Sequence, residues 1–173
     1  AELATALNKV INQVDRAQTT IHRLRTFCQQ SSDYQPCDLR AVIEETLTLM
    51  QPEFQRLKLS PKVNLQTLPV FADASLIQQV LVNLLRNALD AMENSPHKSL
   101  IIDTGTTSES VYIHITDSGC GLSDNALERL FFPFETSKPQ GLGLGMVICK
   151  RIIEEHKGKI EAQHAAPGLT VKV

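Results

Sequence analysis

Within residues 76–92 the apolar positions Ile77, Val80, Leu81, Leu84, Leu85, Ala88 and Met92 recur at spacings of three and four. That is the period of an amphipathic helix, and it puts Asn83 and Asn87 one turn apart, roughly 6 Å along the axis on one side of it. A second helical pattern, Met146, Val147, Ile148, Ile152 and Ile153 broken by Lys150, Arg151, Glu154 and Glu155, begins where Gly141-Leu142-Gly143-Leu144-Gly145 ends. The glycines therefore sit at a helix N-terminus. Asp38 offers an N-cap for a helix over 38–57, with Leu39, Val42, Ile43, Leu47 and Met50 on its apolar face. Short strand signals fall at 62–68, 100–105, 110–117, 159–164 and 169–173. Helices interspersed with mostly hairpin-like strands predict an α/β fold, a two-layer α/β sandwich with one mixed sheet backed by helices.

Upstream, Leu3, Leu7, Val10, Val14, Ala17, Ile21, Leu24 and Cys28 alternate spacings of four and three, the seam of a helix in a coiled coil or helical bundle. No second long helix precedes it in this chain, so the seam is expected to pair with another chain or with sequence beyond this one. The polar, turn-rich Ser31-Ser32-Asp33-Tyr34-Gln35-Pro36 separates this helix, 1–33, from a domain over 34–173.

With 173 residues and 42% hydrophobic content, the chain supports one domain with a real core plus the appended helix. A net charge of −2 gives no electrostatic argument for nucleic acid or an anionic membrane. Cys28, Cys37, Cys120 and Cys149 show no C-x-x-C spacing, and His97, His114, His156 and His164 form no ligand pair, so neither a zinc site nor a disulfide framework is indicated. Reduced thiols in a cytoplasmic setting are the expectation. No apolar run approaches a membrane span and no signal peptide is evident, so any membrane sensor is expected upstream of Ala1.

The chemistry lies in three clusters. Asn83 and Asn87 can face one ligand, and Mg²⁺ takes oxygen ligands shared between one or two protein groups and nucleotide phosphates; two polar residues on a helix can also be its solvated face. Val111, Ile113 and Ile115 alternate toward Asp117-Ser118-Gly119-Cys120-Gly121, a strand end that presents an acid. Its glycines let the backbone approach a flat ligand, and a carboxylate there can accept the exocyclic amine of adenine, although the same motif occurs in ordinary turns. The glycine run supplies helix N-terminal amides for phosphate. A Walker A loop is excluded, because Gly158-Lys159 runs into Ile160, and a dinucleotide fingerprint because the polar Thr136-Ser137-Lys138-Pro139-Gln140 precedes the glycines.

Taken together, the motifs resemble the catalytic and ATP-binding domain of bacterial sensor histidine kinases, within the wider family that includes gyrase, the Hsp90 chaperone and the MutL repair protein. Gln79 through Ala91 resembles the family's N box, Asp117 through Gly121 its G1 box, Phe131-Phe132-Pro133-Phe134 with Thr136-Ser137-Lys138 its F box, and Gly141 through Gly145 its G2 box. The early helix is similar to the second helix of the dimerisation and phosphoacceptor hairpin, particularly at Ile21-His22-Arg23-Leu24-Arg25-Thr26-Phe27. Two positions depart from the usual pattern: Glu135 stands where an aromatic or Thr is common, and Cys120 where Pro is common. Both bear on how the lid packs.

The resemblance implies an ATP-dependent protein histidine kinase of a two-component system, with ATP and Mg²⁺ as cofactors. It assigns Asn87 to the metal, Asn83 to metal and phosphate, and Asp117 to the adenine amine. Lys138 joins Asn83 as a catalytic residue, and with the amides of Gly141, Leu142, Gly143, Leu144 and Gly145 it holds the phosphates. Arg86, Asp90, Gly119, Gly121, Leu122, Thr136 and Ser137 complete the nucleotide site, Thr170 assists adenine recognition, and residues 122–140 form a lid. The family's acceptor histidine is followed by an acid and soon by Pro, whereas His22 is followed by Arg23, so the acceptor is expected on a helix outside this chain. The implied partners are that histidine-bearing helix, a response-regulator receiver domain and a second copy through the early helix. The alternatives are a non-catalytic nucleotide-binding or dimerisation module, or another ATPase of the same fold.

Overall fold

A computed structural model of the protein describes residues 33–136 and 143–173. The heptad helix, His22, Ser137, Lys138, Gly141 and Leu142 lie outside the described residues. Residues 33–173 form a compact unit.

Its elements run β1 (Gln35–Asp38), α1 (Leu39–Leu49), α2 (Gln51–Leu57), β2 (Lys62–Asn64), β3 (Pro69–Ala72), α3 (Ala74–Ala91), β4 (Leu100–Thr106), β5 (Val111–Asp117), α4 (Asp124–Glu128), α5 (Gly145–Glu155), β6 (Glu161–His164) and β7 (Leu169–Lys172). Five strands make one sheet in the order β2-β4-β5-β7-β6. β2 runs parallel to β4 and the remaining pairs are antiparallel, which is the mixed sheet expected of an α/β sandwich. Alternation along β4 and β5 buries Leu100, Ile102, Ile113 and Ile115, and the register stacks Ile102 against Ile115 and Ile115 against Val171. These residues share a core with Ile77, Val80, Leu84, Leu85 and Ala88 of α3 and Ile148, Ile152 and Ile153 of α5. The apolar stripe of each helix thus covers the apolar face of the sheet.

Three expectations need correction. The helix predicted over 38–57 is two helices, because Met50 turns out of helical geometry (φ −87°, ψ 0°) and Pro52 occupies the first turn of α2, where its missing N–H costs nothing. The strand predicted over 62–68 is only Lys62–Asn64. Beyond it, Pro69–Ala72 pairs antiparallel with β1 in a separate two-stranded sheet that hydrophobic period could not reveal, since each strand has four residues and carries a proline. Finally, α3 begins at Ala74, where the carboxylate of Asp73 accepts from Ser75 N and Leu76 N.

Asp38 does carry the predicted cap, and it does more. Its Oδ1 accepts from Arg40 N at 3.0 Å and from Leu68 N at 2.9 Å, joining the start of α1 to the chain that leads into β3. Asp38→Ala is therefore expected to lower stability by about 2 kcal/mol, the loss of a cap plus a second orphaned N–H. The denaturant midpoint should fall with the slope unchanged.

Candidate functional site

The core helices α3 and α5 bring the asparagines and the glycine-led helix together. Asn83 is buried at 9% exposure, and its Nδ2 has no hydrogen-bond partner among the described residues. A Cβ added at Gly145 would lie 3.9 Å from Asn83 Oδ1, so the backbone at the start of α5 stands against this amide. One turn further along α3, Asn87 Nδ2 donates to Met146 Sδ at 3.2 Å. Leu144 at the N-cap of α5 provides no side-chain hydrogen bond, and the first turn contains no acid; Asp38, Asp73 and Ser123 each cap their helices with a side-chain oxygen. A buried N–H left without an acceptor costs about 1–3 kcal/mol. Asn83 thus carries a buried donor with no partner among the described residues, and its amide, through Oδ1, stands near the start of α5, where first-turn N–H groups suit anionic oxygen.

Asp117 is a further candidate for the ligand. It ends β5 at 6% exposure, and its Oδ1 accepts from Gly119 N at 2.7 Å. Burial pushes its carboxyl above the ordinary aspartate range, opposed by the backbone N–H groups of Gly119 and Leu169. The loop after it is fastened to the last turn of α3: Cys120 N donates to Ala91 O at 3.1 Å, and a Cβ at Gly119 would come within 2.6 Å of Ala91 Cβ. Gly168 was not picked out by the sequence. It has φ +102°, and a Cβ there would lie 1.9 Å from Asp117 O. Pro167-Gly168 signals a turn in sequence, but nothing local shows that the turn lands on Asp117.

The other candidate residues divide. Thr170 does not stand beside the Asp117 carboxylate: its hydroxyl is 2.9 Å from that of Thr116, its cross-strand partner, while Asp117 pairs with Leu169. Successive strand residues face opposite sides of the sheet, so Thr170 and the Asp117 side chain project from different faces. Arg86 and Asp90 are exposed on α3, Leu122 is half-buried and Thr136 exposed. Gly121 and Gly143 both have positive φ, +65° and +63°, which favours glycine.

The described part of the expected lid has little anchoring. No residue of α4 is buried, and Phe132 and Phe134 are exposed at 56% and 76%. Its attachments are few: Leu130 and Phe131 pack at the edge of the core, His164 Nε2 lies 2.9 Å from Asp124 Oδ1, and Phe134 N donates to Gly143 O at 3.1 Å, where a Cβ on Gly143 would approach the Phe134–Glu135 backbone within 2.5 to 2.7 Å. Glu135 forms an ion pair with Arg129 where the family pattern would offer an aromatic or Thr. Among the described residues, no helix is long and apolar enough to cross a membrane and no group of three His, Cys, Asp or Glu side chains could hold a metal.

A family model described as histidine kinase-, DNA gyrase B-, and HSP90-like ATPase matches residues 72–173, and the chain belongs to that family. Its relatives within the family are sensor kinases. It is 34% identical over 92% of its length to the sensor protein TdiS of Thauera aromatica, of which it covers 30%. It is 35% identical over 96% of its length to the sensor protein FixL of Bradyrhizobium diazoefficiens, of which it covers 34%. The chain thus spans about a third of these curated relatives. Among solved structures, the histidine kinase AdeS of Acinetobacter baumannii matches with a TM-score of 0.78 at 28% identity, covering 96% of this chain and 82% of that one. The nucleotide-free catalytic domain of the histidine kinase ThkA matches with 0.72 at 30% identity, covering 81% and 93%. The fold and family implied by the sequence motifs are those found.

The burial of Asp117 has a measurable consequence. Its folded carboxyl holds a proton more tightly than the unfolded one, so its contribution to stability is present below the usual value of 3.8 and is lost as pH rises above it. Asp117→Asn removes that loss. The variant should gain stability relative to the parent between acidic and neutral pH, as read from paired denaturation curves, and a pH-independent difference would contradict the burial effect.

Proposed function

We propose that this chain is the ATP-dependent phosphotransfer module of a sensor histidine kinase. It binds ATP with Mg²⁺ and passes the γ-phosphoryl group to a histidine outside this chain, for relay to an aspartate of a response-regulator receiver domain. The observation that carries the proposal is the buried amide of Asn83, whose Nδ2 has no partner among the described residues and whose Oδ1 stands near the uncapped start of α5. A phosphate oxygen would satisfy that donor, and membership of an ATPase family makes nucleotide the natural source of it.

In this reading Asp117 accepts the adenine amine. The Gly119 and Gly168 backbones, both too close to their neighbours to carry a Cβ, leave the carboxylate flanked by main chain. The amide nitrogen of Asn83 and the Gly143, Leu144 and Gly145 backbone orient the phosphates, and Lys138 adds positive charge. Asn87, whose amide nitrogen is held by Met146 Sδ, holds the metal through its oxygen. An amide oxygen suits Mg²⁺, which keeps waters and phosphate oxygens as its remaining ligands. The bound ion supplies neutralisation of charge on the transferring group. A neutral imidazole nitrogen needs no strong base to attack: a P–N bond forms as the bond to the ADP oxygen breaks, and the protein's part is alignment. Residues 122–140 act as the lid, and the early heptad segment joins two copies.

Titration with a non-hydrolysable ATP analogue, with and without Mg²⁺, tests the site. Mg²⁺ should tighten binding, Asn87→Ala should remove that enhancement, and Asp117→Asn should weaken binding by about 10- to 100-fold, the value of a charge-assisted hydrogen bond. ATP with a supplied acceptor-bearing hairpin should then yield phosphohistidine. Binding without phosphohistidine would favour a non-catalytic module.

A further inference from the structure

Far from the proposed phosphate donors, at the other end of the α3/α5 pair, one histidine joins three parts of the chain. His156 follows the last residue of α5. Its Nδ1 is 2.7 Å from Ile152 O, and its Nε2 accepts from Asp73 N at 3.0 Å. A carbonyl can only accept and a backbone N–H can only donate, so the proton sits on Nδ1 and Nε2 is the bare acceptor. Asp73 is itself fully committed: Oδ1 accepts from Ser75 N and Leu76 N to cap α3, and Oδ2 accepts from Asp33 N at 2.9 Å. Tyr34 covers the ring, with centroids 4.8 Å apart, and its hydroxyl donates to Glu155 O at 3.0 Å.

Seen along the helices, this contact belongs to a series. Asp73 meets His156, Val80 O meets Cys149 Sγ at 3.9 Å, and Asn87 meets Met146 Sδ at 3.2 Å. As residue numbers rise on α3 they fall on α5, so the helices run antiparallel. The middle and upper contacts are sulfur hydrogen bonds, which are weak. The only contact in the series made by a backbone N–H to a ring nitrogen is at His156, roughly 15 Å along α3 from Asn83. A small axial shift of α5 on α3 would move its first-turn amides relative to the Asn83 amide, and both the buried apolar packing of the pair and the directional bond at His156 oppose it.

We infer that His156 is a positioning residue for the nucleotide site: through Asp73 N it fixes the axial register of α5 against α3, and so the spacing between the Asn83 amide and the phosphate-facing amides of α5. The inference rests on the nucleotide reading given above. It assigns the role to the Nε2 acceptor rather than to the bulk of the ring.

Two substitutions separate these contributions. His156→Gln can place an acceptor oxygen near Nε2 while giving up the Ile152 bond; His156→Asn keeps a donor near Nδ1 and leaves Asp73 N without its acceptor. Both lose one hydrogen bond, so their melting temperatures should fall similarly. Binding of a non-hydrolysable ATP analogue with Mg²⁺ should stay within about threefold of the parent for His156→Gln and weaken about tenfold for His156→Asn, in line with one buried donor left unpaired. Equal affinity in all three proteins, or equal losses in both variants, overturns the inference while leaving the nucleotide site intact. A parent that binds no nucleotide overturns both. Should His156→Asn fail to fold, nitrogen shifts of the imidazole in the parent decide: the Nδ1–H tautomer supports the assignment and the Nε2–H tautomer sinks it.

Discussion

Two helices that bury apolar stripes on the same sheet face must also meet each other, and the line where α3 meets α5 is where this fold holds its polar exceptions. Val80, Leu84, Ile148 and Ile152 are nearly inaccessible because dispersion and the hydrophobic effect demand it. Asn83 is buried on the same terms but gains no partner for Nδ2 among the described residues. Such a group is tolerated only if something offsets it, and the start of α5, uncapped and led by glycine, presents further donors beside it. The core therefore keeps a polar deficit that an anion would relieve, and the spacing of the Asn83 amide from the start of α5 follows from how closely these helices are held.

Asp117 is the complementary case. A carboxylate at 6% exposure is expensive, and the local backbone reduces that expense by donating from Gly119 and Leu169. The same geometry leaves little room around it: Gly119 lies on Ala91 and Gly168 on the carbonyl of Asp117 itself. Bare backbone, not side chains, shapes this side of the site. A flat aromatic ligand can come close to such a surface, whereas a Cβ at either position would first displace main chain.

Long-period features were legible in the sequence and short or non-local ones were not. The apolar positions of α3 and α5, the Asp38 cap and the alternation of β4 and β5 are each set by residues within one element, and they appear where periodicity puts them. The bend at Met50 escaped because Pro52 in a first turn is compatible with a continuing helix pattern. The β1/β3 pair escaped because four-residue strands cannot display a period. The one-turn spacing of Asn83 and Asn87 on α3 and the strand-end position of Asp117 were readable because each is set locally. Gly168 and His156 were not, since each acts on a residue far away in sequence, Asp117 and Asp73 respectively. Thr170 shows what a strand position alone leaves open: it lies one residue from the partner of Asp117, and one residue in a strand is a change of face.

Distance within the α3/α5 pair links the two ends of the site. A helix transmits displacement along its axis with little loss, because each turn is fixed by hydrogen bonds to the next. Contacts at Asp73, Val80 and Asn87 with His156, Cys149 and Met146 therefore describe one degree of freedom, the slide of α5 on α3, rather than separate attachments. Interdigitated apolar side chains oppose both separation and slide. Directional hydrogen bonds add to that opposition, and the one from Asp73 N to the imidazole, at 3.0 Å, joins the start of α3 to the end of α5. Asp33 N and the Tyr34 hydroxyl bond to Asp73 and Glu155 at the same place, so three short stretches of the unit meet around this one imidazole.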